Sequence, residues 1–327
     1  MKRKIENSRV LVTGGAGFIG SHLVDALLAQ NNQVVVLDNC VTGKKENIKH
    51  HFENDNFTFI EGDIRNLDEC HKACEGVDYV LHQAALGSVP RSIKDPITTN
   101  EVNVDGFLNM LVAARDAQVK RFVYASSSSV YGDHPDLPKV EEKIGKPLSP
   151  YAVSKYTNEL YAEVFSKTYG LEVIGLRYFN VFGPRQDPNG PYAAVIPKFI
   201  NALMNSEAVT INGDGEHSRD FTYVENVVQI NQLAALASNS KALNQVYNAA
   251  FGGSISLNAL YNHLVDSFKK TKTDVQILAP HYGAERKGDI KHSNAAIDKA
   301  QQVLEYLPKK SFDDGIRETL DWYLDSK

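Results

Sequence analysis

A glycine-rich turn near the start of the chain limits the folds that the rest of the sequence can adopt. Gly14, Gly17 and Gly20 follow a short apolar run at residues 9–12 and open a stretch with helical spacing. Glycines at this spacing permit a tight turn and let backbone N–H groups approach a pyrophosphate at a helix N-terminus. A glycine triplet alone is more often just a turn. Here a strand, the glycines, a helix, a second strand and Asp38 occur in order, which predicts a dinucleotide-binding βαβ unit.

Apolar runs and segments of helical period alternate through the first half of the chain. The runs predict buried strands at residues 9–12, 33–37, 57–60, 79–81, 122–125 and 173–176, and the segments between them predict helices at 18–30, 100–118 and 151–169. Strands that alternate with helices in this way form a parallel sheet with helices on both faces. We therefore predict the α/β class: a Rossmann-type doubly wound parallel sheet with a smaller mixed α/β C-terminal substrate domain.

The composition of the sequence changes after residue 180. A loop rich in glycine and proline occupies residues 182–192, and polar loops at 211–219 and 284–289 interrupt the second half. The length of 327 residues permits either one large unit or two domains. We predict a cofactor-binding domain over residues 1–180 and a substrate-binding domain over 181–327. Residues 245–249 are predicted to return as a further strand of the first sheet.

The charge balance excludes several classes of partner. The formal net charge is -5, so bulk electrostatics predict no nucleic acid and no anionic membrane, and a phosphorylated ligand has to be bound locally. No apolar stretch approaches the roughly 18 residues that a membrane span needs. Cys40, Cys70 and Cys74 lack the paired spacings of a zinc site. We predict no metal, and reduced thiols in a cytoplasmic protein.

Residues at the ends of the predicted strands complete a cofactor site. Asp38 can accept hydrogen bonds from an adenosine ribose and would repel a 2′-phosphate, which favours NAD over NADP. Lys44 and Lys45 could instead bind a 2′-phosphate, although a solvated loop is the simpler interpretation. Asp63 is placed to contact the adenine edge, or serves as a polar loop residue. The candidate NAD-binding residues in these turns are Gly14, Gly17, Phe18, Ile19, Gly20, Asp38, Asn39, Asp63, Ile64, Gln83, Ala84 and Ala85.

Tyr151 and Lys155 stand four residues apart on a predicted helix, and Ser127 ends a predicted strand upstream. Tyrosine ionises near pH 10 in water, so it is a poor base at neutrality unless positive charge stabilises the phenolate. Lys155 on the same helix face supplies one charge, and an oxidised nicotinamide supplies a second. We predict that Tyr151 removes the proton of an alcohol whose carbon gives a hydride to NAD⁺, while Ser127 steadies the forming carbonyl. Tyr-x-x-x-Lys is common on amphipathic helices, so this prediction depends on the glycine turn and the serine run.

Three arginines in loops of the second half offer charge for a phosphorylated substrate. They are Arg185, Arg219 and Arg286. Arginine suits bidentate phosphate contacts, and a surface ion pair is the alternative for each of them.

Taken together, these motifs resemble the extended short-chain dehydrogenase/reductase superfamily along essentially the whole chain, and they are most similar to its nucleotide-sugar 4-epimerases. The resemblance implies that the second domain binds the UDP part of a nucleotide sugar. The residues that it assigns to this part are Asn180, Ala194, Val195, Thr210, Asn212, Arg219, Arg286 and Asp289. It also implies that Asn103 and Tyr178 approach the nicotinamide end of NAD, and that the helices at 100–118 and 151–169 pair two copies into a homodimer.

The serine run indicates the reaction type within this family. The related 4,6-dehydratases carry Thr-Asp-Glu there, and the uronate decarboxylases typically carry a glutamate, whereas this chain has Ser127, Ser128 and Ser129. Elimination of water needs an extra acid and base that this run lacks. The resemblance therefore implies oxidation at C4 and return of hydride to the opposite sugar face, with NAD⁺ regenerated in each turnover.

Substrate choice depends on Ser293, where glucose-restricted epimerases of this family carry a bulky tyrosine. A serine leaves room for an N-acetyl group at C2, and the segment holding Gly87, Ser88 and Arg91 resembles the subgroup that prefers N-acetylated sugars. The resemblance implies that Ser88 and Arg91 contact the sugar, with an ordinary loop arginine as the alternative for Arg91. The expected reaction converts UDP-N-acetylglucosamine to UDP-N-acetylgalactosamine for surface polysaccharides.

Three other functions remain open at this point. The chain could act on UDP-N-acetyl uronic acids or on UDP-glucose, or it could be an NAD-binding scaffold without turnover. The scaffold is disfavoured because such proteins usually lose the tyrosine or the lysine, and this chain retains Tyr151 and Lys155.

Overall fold

The fold is organised around a seven-stranded sheet. A computed structural model describes residues 3–189, 193–271, 275–285 and 291–325. The strands are β1 (Arg9–Thr13), β2 (Gln33–Asp38), β3 (Phe57–Glu61), β4 (Tyr79–His82), β5 (Arg121–Ser127), β6 (Val173–Tyr178), β7 (Val181–Phe182), β8 (Thr210–Asn212), β9 (Ser218–Arg219), β10 (Thr222–Tyr223), β11 (Gln245–Ala249), β12 (Ile255–Ser256), β13 (His281–Gly283) and β14 (His292–Ser293). The large sheet has the order β11-β6-β5-β4-β1-β2-β3, and all its pairings are parallel.

Helices cover both faces of this sheet. They are α1 (Phe18–Leu28), α2 (Leu67–Cys74), α3 (Val89–Lys94), α4 (Pro96–Asn100), α5 (Gly106–Asp116), α6 (Pro150–Tyr169), α7 (Val195–Met204), α8 (Val224–Ala235), α9 (Leu257–Lys270), α10 (Asp298–Leu304) and α11 (Phe312–Asp325). Along β1, Val10 and Val12 pack with α1 and α8, while Leu11 packs with α2 and α5 on the other face. Burial on both faces explains why the strands are apolar without alternation. The predicted fold class is confirmed.

The second half of the chain builds a smaller unit. A separate core joins α7, α9 and α11 through side chains such as Phe199, Leu264 and Leu320. Around it lie short strand pairs: β7 with β10, β8 with β13, and β9 with β12 and β14. Segments after residue 180 also pack on the first sheet, because α8 and α10 contribute to its core and β11 pairs with β6.

The predicted helix at 100–118 is interrupted. A π-helical turn, Glu101–Asp105, separates α4 from α5. This turn places Asn103 against the main chain of Leu86, at 2.7 Å from the Leu86 nitrogen to Asn103 Oδ1. Among the described residues, none of the helices combines the length and the apolar character needed to cross a membrane.

Candidate active site

Two cavities meet where the first sheet adjoins the smaller unit. The carboxyl ends of β1, β2, β4 and β5 line a cavity of about 530 Å³. A second cavity, of about 600 Å³, lies between α7, β8 and the loop after β6. Asn180 and Val181 line both, so the two cavities form one continuous cleft. The first lies where the strand order reverses between β1 and β4, the usual ligand position in open α/β sheets.

The glycine turn forms one wall of the first cavity. Gly14 has a φ of +68°, and a Cβ there would lie 2.7 Å from the nitrogen of Ala84. Only glycine accommodates both this conformation and this approach of two loops. Helix α1 begins after Gly17 without a side-chain cap in the described structure, and Phe18 and Ile19 line the cavity. The wall fits a dinucleotide pyrophosphate, which needs close backbone N–H groups rather than side chains.

Asp38 closes the same wall from the end of β2. Its Oδ2 accepts from the Ala16 nitrogen at 2.9 Å and its Oδ1 from the Cys40 nitrogen at 2.8 Å, and burial raises its pKa. A fixed acid here suits a ribose and opposes a 2′-phosphate. Lys44 pairs with Asp187 at 2.8 Å and Lys45 with Glu61 at 2.7 Å, so carboxylates already neutralise the two lysines considered for a 2′-phosphate. The residues fit NAD.

Asp63 lies farther out along the same wall, together with Asn39 and Ile64. Arg65 donates to Asp63 at 2.7 Å and holds its pKa down to about 2, and Asn39 donates to it at 2.8 Å. Sequence reasoning missed Arg65 and also Val41, an apolar side chain at the cavity wall that is 69% exposed. A bound ligand would cover Val41, but no sequence pattern marks a single apolar residue in a polar loop.

Gln83 and Tyr178 close the inner end through a bond across the sheet. The Tyr178 hydroxyl donates to Gln83 Oε1 at 2.9 Å and accepts from Asn231 at 2.8 Å. Burial raises the pKa of Tyr178, so this phenol stays neutral. Asn231 lies on α8, and its participation was not detectable from the sequence because it follows the strand by about fifty residues. Ala84 and Ala85 line the cavity beside Gln83.

The candidate catalytic side chains come together in the first cavity. Tyr151, Lys155 and Ser127 all line the first cavity. Lys155 Nζ lies 6.0 Å from the centroid of the Tyr151 ring and donates to the Ala125 carbonyl at 2.8 Å. Burial lowers the pKa of Lys155 to about 8. Burial raises the pKa of Tyr151, and a hydrogen bond with Ser127 opposes that rise. Positive charge from Lys155 and from a bound oxidised nicotinamide is what this phenol needs to act as a base.

The serine run divides into different environments. Ser126 donates to Glu159 at 2.5 Å, and Ser127 Oγ accepts from the Ser129 nitrogen at 3.1 Å. Ser128 lines the first cavity, whereas the Ser129 hydroxyl is buried and has no hydrogen-bond partner among the described residues. Ser127 and Ser128 therefore face the cleft, and Ser129 lies behind them.

The segment after β4 contributes unevenly. Gly87 lines the first cavity, while Ser88 and Arg91 lie in α3 and its cap, outside the described lining of both cavities. Asn103 is 1% exposed, and its amide holds the main chain of Leu86 and the hydroxyl of Ser154. In this structure Asn103 supports the cavity wall from behind.

The second cavity collects residues from distant parts of the chain. Those predicted for the UDP part that line it are Asn180, Ala194, Val195, Thr210, Asn212 and Arg219, and sequence reasoning missed Lys198. Helix α7 begins after Ala194 without a side-chain cap in the described chain, so its first N–H groups remain available to an acceptor. Arg286 and Asp289 lie outside the described residues.

Arg185 does not line the described cleft, contrary to one expectation for the loop arginines. It pairs with Asp25 on α1 at 2.5 Å. Asp25 also accepts from His50 and His51, and the ligand atoms of these three side chains lie within 4.8 Å of one another. Hydrogen bonds from both histidines to Asp25 hold this group together.

Ser293 lies on β14, beside Arg219 of β9. It is 9% exposed, and its carbonyl accepts from the Asp220 nitrogen at 2.9 Å. It stands outside the described lining of the cleft, one strand behind Arg219.

Comparison with known proteins gives consistent results. The model of the NAD-dependent epimerase/dehydratase family matches residues 10–250. The UDP-glucose 4-epimerase of Mycolicibacterium smegmatis is 35% identical over 96% of this chain and 98% of its own. A UDP-N-acetylglucosamine 4-epimerase from Methanobrevibacter ruminantium, solved with UDP-N-acetylmuramic acid, is 42% identical, covers 99% of this chain and 100% of its own, and has a TM-score of 0.92. The Thermus thermophilus UDP-glucose 4-epimerase, solved with NAD, is 35% identical, covers 98% and 100%, and has a TM-score of 0.85.

Proposed function

Because the chain belongs to the NAD-dependent epimerase/dehydratase family, we propose that it interconverts UDP-N-acetylglucosamine and UDP-N-acetylgalactosamine by epimerisation at C4. The family is one of nucleotide-sugar enzymes that use NAD. The residues of the cleft support both the type of reaction and the choice of sugar.

The observation that carries the reaction type is the distribution of carboxylates. Among the described residues that line the first cavity, the only carboxylates are Asp38 and Asp63, and both lie at the ends of β2 and β3, toward the adenosine side. Beside Tyr151 the wall is made of Ser126, Ser127 and Ser128. Dehydration requires a further acid and base next to the sugar. Proton movement at this position is therefore limited to Tyr151 and Ser127, which suits oxidation and reduction at a single carbon.

Each side chain then has a simple role. Bound NAD supplies the acceptor and donor of the hydride. Tyr151 takes the proton of the C4 hydroxyl and returns it after the 4-keto sugar has turned over. Lys155 is fixed on Ala125 and stabilises the phenolate. Ser127, which shares a hydrogen bond with Tyr151, steadies the carbonyl oxygen as it forms.

The second cavity supports a UDP substrate. Arg219 and Lys198 bring positive charge to its wall, and the uncapped start of α7 offers N–H groups. Asn180 lies at the junction, where the sugar would meet the catalytic group. Firm binding of UDP together with a loosely held sugar permits the rotation that epimerisation needs.

The preference for an N-acetylated sugar rests on the small residue at Ser293 and on the 42% identical relative named for that substrate. UDP-glucose is the second candidate, because a relative named for it is 35% identical. UDP-N-acetyl uronic acids are the third, although Arg91, the expected partner for the carboxylate, lies outside the described lining of both cavities. The pairing of Tyr151 with Lys155 in the cleft weighs against a scaffold without turnover.

The test is direct conversion of defined sugars. Purified protein is incubated separately with UDP-N-acetylglucosamine, UDP-glucose and UDP-N-acetylglucosaminuronic acid, and epimers are followed by NMR. We expect the fastest epimer formation from UDP-N-acetylglucosamine, with no elimination or decarboxylation product. Faster conversion of either other sugar would reassign the substrate, and bound NAD without any conversion would favour the scaffold.

We also propose that two copies pair through α3, α4 and α6. Large apolar side chains are exposed along these helices, among them Ile93, Ile97, Val153, Leu160 and Val164, and water contact at 46–71% of their surface is unfavourable. A second copy would bury these faces. Light scattering after size exclusion should give twice the chain mass, and Ile97→Glu should shift the protein toward the monomer.

The three cysteines support a reducing compartment. Cys40, Cys70 and Cys74 are all free, and burial raises the pKa of Cys70 and Cys74 to about 12. Unreactive free thiols are typical of cytoplasmic proteins. We place the reaction there, supplying precursors for surface polysaccharides. Fractionation of cells with an antibody against the chain would test this placement.

A further inference from the structure

A buried charged pair lies directly behind the candidate catalytic group and has no role in the steps above. Glu159 on α6 and Arg177 on β6 make a two-point contact, with Arg177 Nε 2.9 Å from Oε1 and Nη2 2.8 Å from Oε2. Arg177 is 2% exposed and Glu159 is 9% exposed. Taking two charges out of water costs about as much as their attraction returns, so stability alone does not account for the pair.

Glu159 links α6 to the end of β5. Tyr151, Lys155 and Glu159 follow one another at intervals of four on α6, so they lie along one face of the helix. Glu159 Oε1 accepts the hydroxyl of Ser126 at 2.5 Å. Ser126 directly precedes Ser127, so this bond sets how deeply the helix sits against the strand end that carries Ser127.

Arg177 holds the chain on the other side of Ser127. Its guanidinium lies 4.8 Å from the centroid of the Tyr131 ring, and its Nη1 donates to the Glu141 carbonyl at 2.9 Å. Tyr131 ends the 3₁₀ turn Ser128–Tyr131 that follows Ser127. Ser127 therefore lies between Ser126, which contacts Glu159, and Tyr131, which contacts Arg177.

We propose that Glu159 is a positioning residue: together with Arg177 it sets the separation between Ser127 on β5 and the Tyr151 and Lys155 side chains on α6. Its effect on turnover rests on the proposed function. Its effect on the ionisation of Tyr151 does not, because that property needs no sugar.

Replacing Glu159 by glutamine acts on Tyr151 in two opposite ways. Loss of a nearby carboxylate favours the phenolate and lowers the pKa of Tyr151. In the intact protein, the hydrogen bond from Ser127 lowers the pKa of Tyr151. If Glu159→Gln displaces Ser127 and Lys155, this hydrogen bond weakens and the Lys155 cation moves away. The displacement therefore raises the pKa of Tyr151.

Other ionisable groups also face this part of the core. They are His82 on β4, Tyr124 on β5, Glu163 on α6, Arg177 on β6, Tyr131 in the 3₁₀ turn and Glu141 in the loop that follows. Arg177 stays cationic in Glu159→Gln, and its charge further lowers the pKa of Tyr151. A measured rise would therefore report position rather than charge.

The experiment is a pH titration of phenolate absorbance in the NAD-loaded protein, taken as the difference between each variant and the same variant carrying Tyr151→Phe. We expect Glu159→Gln to raise the Tyr151 pKa by about one unit. A fall or no change would overturn the proposal. With a sugar that the protein epimerises, kcat should fall about tenfold at unchanged KM. The titration gives a result even when no UDP-sugar is converted. Failure of the positioning role can therefore be distinguished from failure of the proposed function.

A second variant covers the case in which the unpaired Arg177 prevents folding. Glu159→Leu combined with Arg177→Met removes both charges and keeps the interior filled. The same rise in the Tyr151 pKa is expected, and an unchanged value in a folded double variant would also overturn the proposal.

The chain offers a matched control at the opposite end of β5 and β6. Arg121 contacts Glu172 Oε2 through Nε at 3.1 Å and through Nη2 at 2.7 Å. Glu172→Gln breaks a pair of the same chemistry far from the cleft, and it should leave the Tyr151 pKa and kcat unchanged. An equal shift in this control would show a general effect of destabilisation and would contradict the positioning role.

Discussion

The two cavities of the cleft differ in how the chain builds them. The first is formed by the ends of strands in one parallel sheet, where regular pairing from β3 to β11 fixes the place of every turn. The second is formed by α7, loops and strands of two or three residues that come from residues 180 to 257. Backbone order therefore determines the proposed cofactor half, whereas contacts between separate segments of the chain determine the proposed substrate half.

The largest loss of turnover should come from replacing Tyr151, which lines the first cavity. Tyr151→Phe keeps the ring and removes the hydroxyl that exchanges the proton, so turnover should fall about a thousandfold. NAD content and the affinity for UDP should stay unchanged, because neither cavity loses a wall. NMR of the sugar products measures the first quantity, and absorbance and calorimetry measure the others. Activity near that of the unmodified protein would remove Tyr151 from the mechanism.

Replacing Lys155 tests whether its charge or its packing supports Tyr151. Lys155→Met keeps a chain of similar length without the cation, so the phenolate loses stabilisation and the rate should fall about a hundredfold at neutral pH. The pH dependence has a definite sign. Burial holds the pKa of Lys155 to about 8, so the intact protein loses this charge and activity as pH rises through that value. The variant has no such group, and its rate should keep rising there.

Rates measured across the pH range around the pKa of Lys155 show whether its charge or its packing supports turnover. The acid limb of kcat/KM should also move to higher pH in Lys155→Met, because the Tyr151 phenol then ionises less readily. A profile with the shape of the intact protein, merely scaled down, would mean that Lys155 acts through packing alone.

Local order made most of the cofactor half predictable. The glycine turn, Asp38 and the strand ends occur in sequence at the spacing that the sheet imposes, so the order of residues alone places Gly14, Asp38 and Asp63 in one wall. Partners that approach from distant segments were not predictable. Asn231 reaches Tyr178 from α8, and Arg65 reaches Asp63 only after the turn has formed.

The substrate half was predictable only through family resemblance. Periodicity gave no signal for strands as short as β9 or β14. Loop arginines looked alike in the sequence, yet Arg219 lines the second cavity while Arg185 pairs with Asp25. Which one faces the cleft depends on the path of the folded loop, and spacing along the chain does not encode that path.

The glycine wall gives a matched pair of substitutions within the first cavity. Gly14→Ala forces a side chain into a left-handed conformation and against Ala84, with a strain of about 2 kcal/mol, so NAD should bind about thirtyfold more weakly. Gly87 lines the same cavity, but a Cβ there would meet nothing within 4 Å. Gly87→Ala should bind NAD normally. Calorimetry on protein freed of cofactor measures both, and equal losses would show that the backbone conformation of Gly14 is not what matters.

The smallest expected effect tests the substrate half. Ser293→Tyr adds a ring beside Arg219, which lines the second cavity, at a position where only 9% of the serine is exposed. The N-acetyl group at C2 should then be excluded, lowering kcat/KM for UDP-N-acetylglucosamine about tenfold relative to UDP-glucose. Competition assays with both sugars in one tube measure this ratio directly.

Ser293→Ala is the control for that substitution, because it removes the hydroxyl without adding bulk and should leave the ratio unchanged. The Ser293 carbonyl, which accepts from the Asp220 nitrogen, is present in both variants. Disruption of β14 would therefore lower the rate with both sugars equally, whereas a steric gate lowers it with one. A tyrosine variant whose rates with both sugars fall in parallel would place the selection of the C2 substituent elsewhere in the cleft, with the serine run as the next segment to exchange.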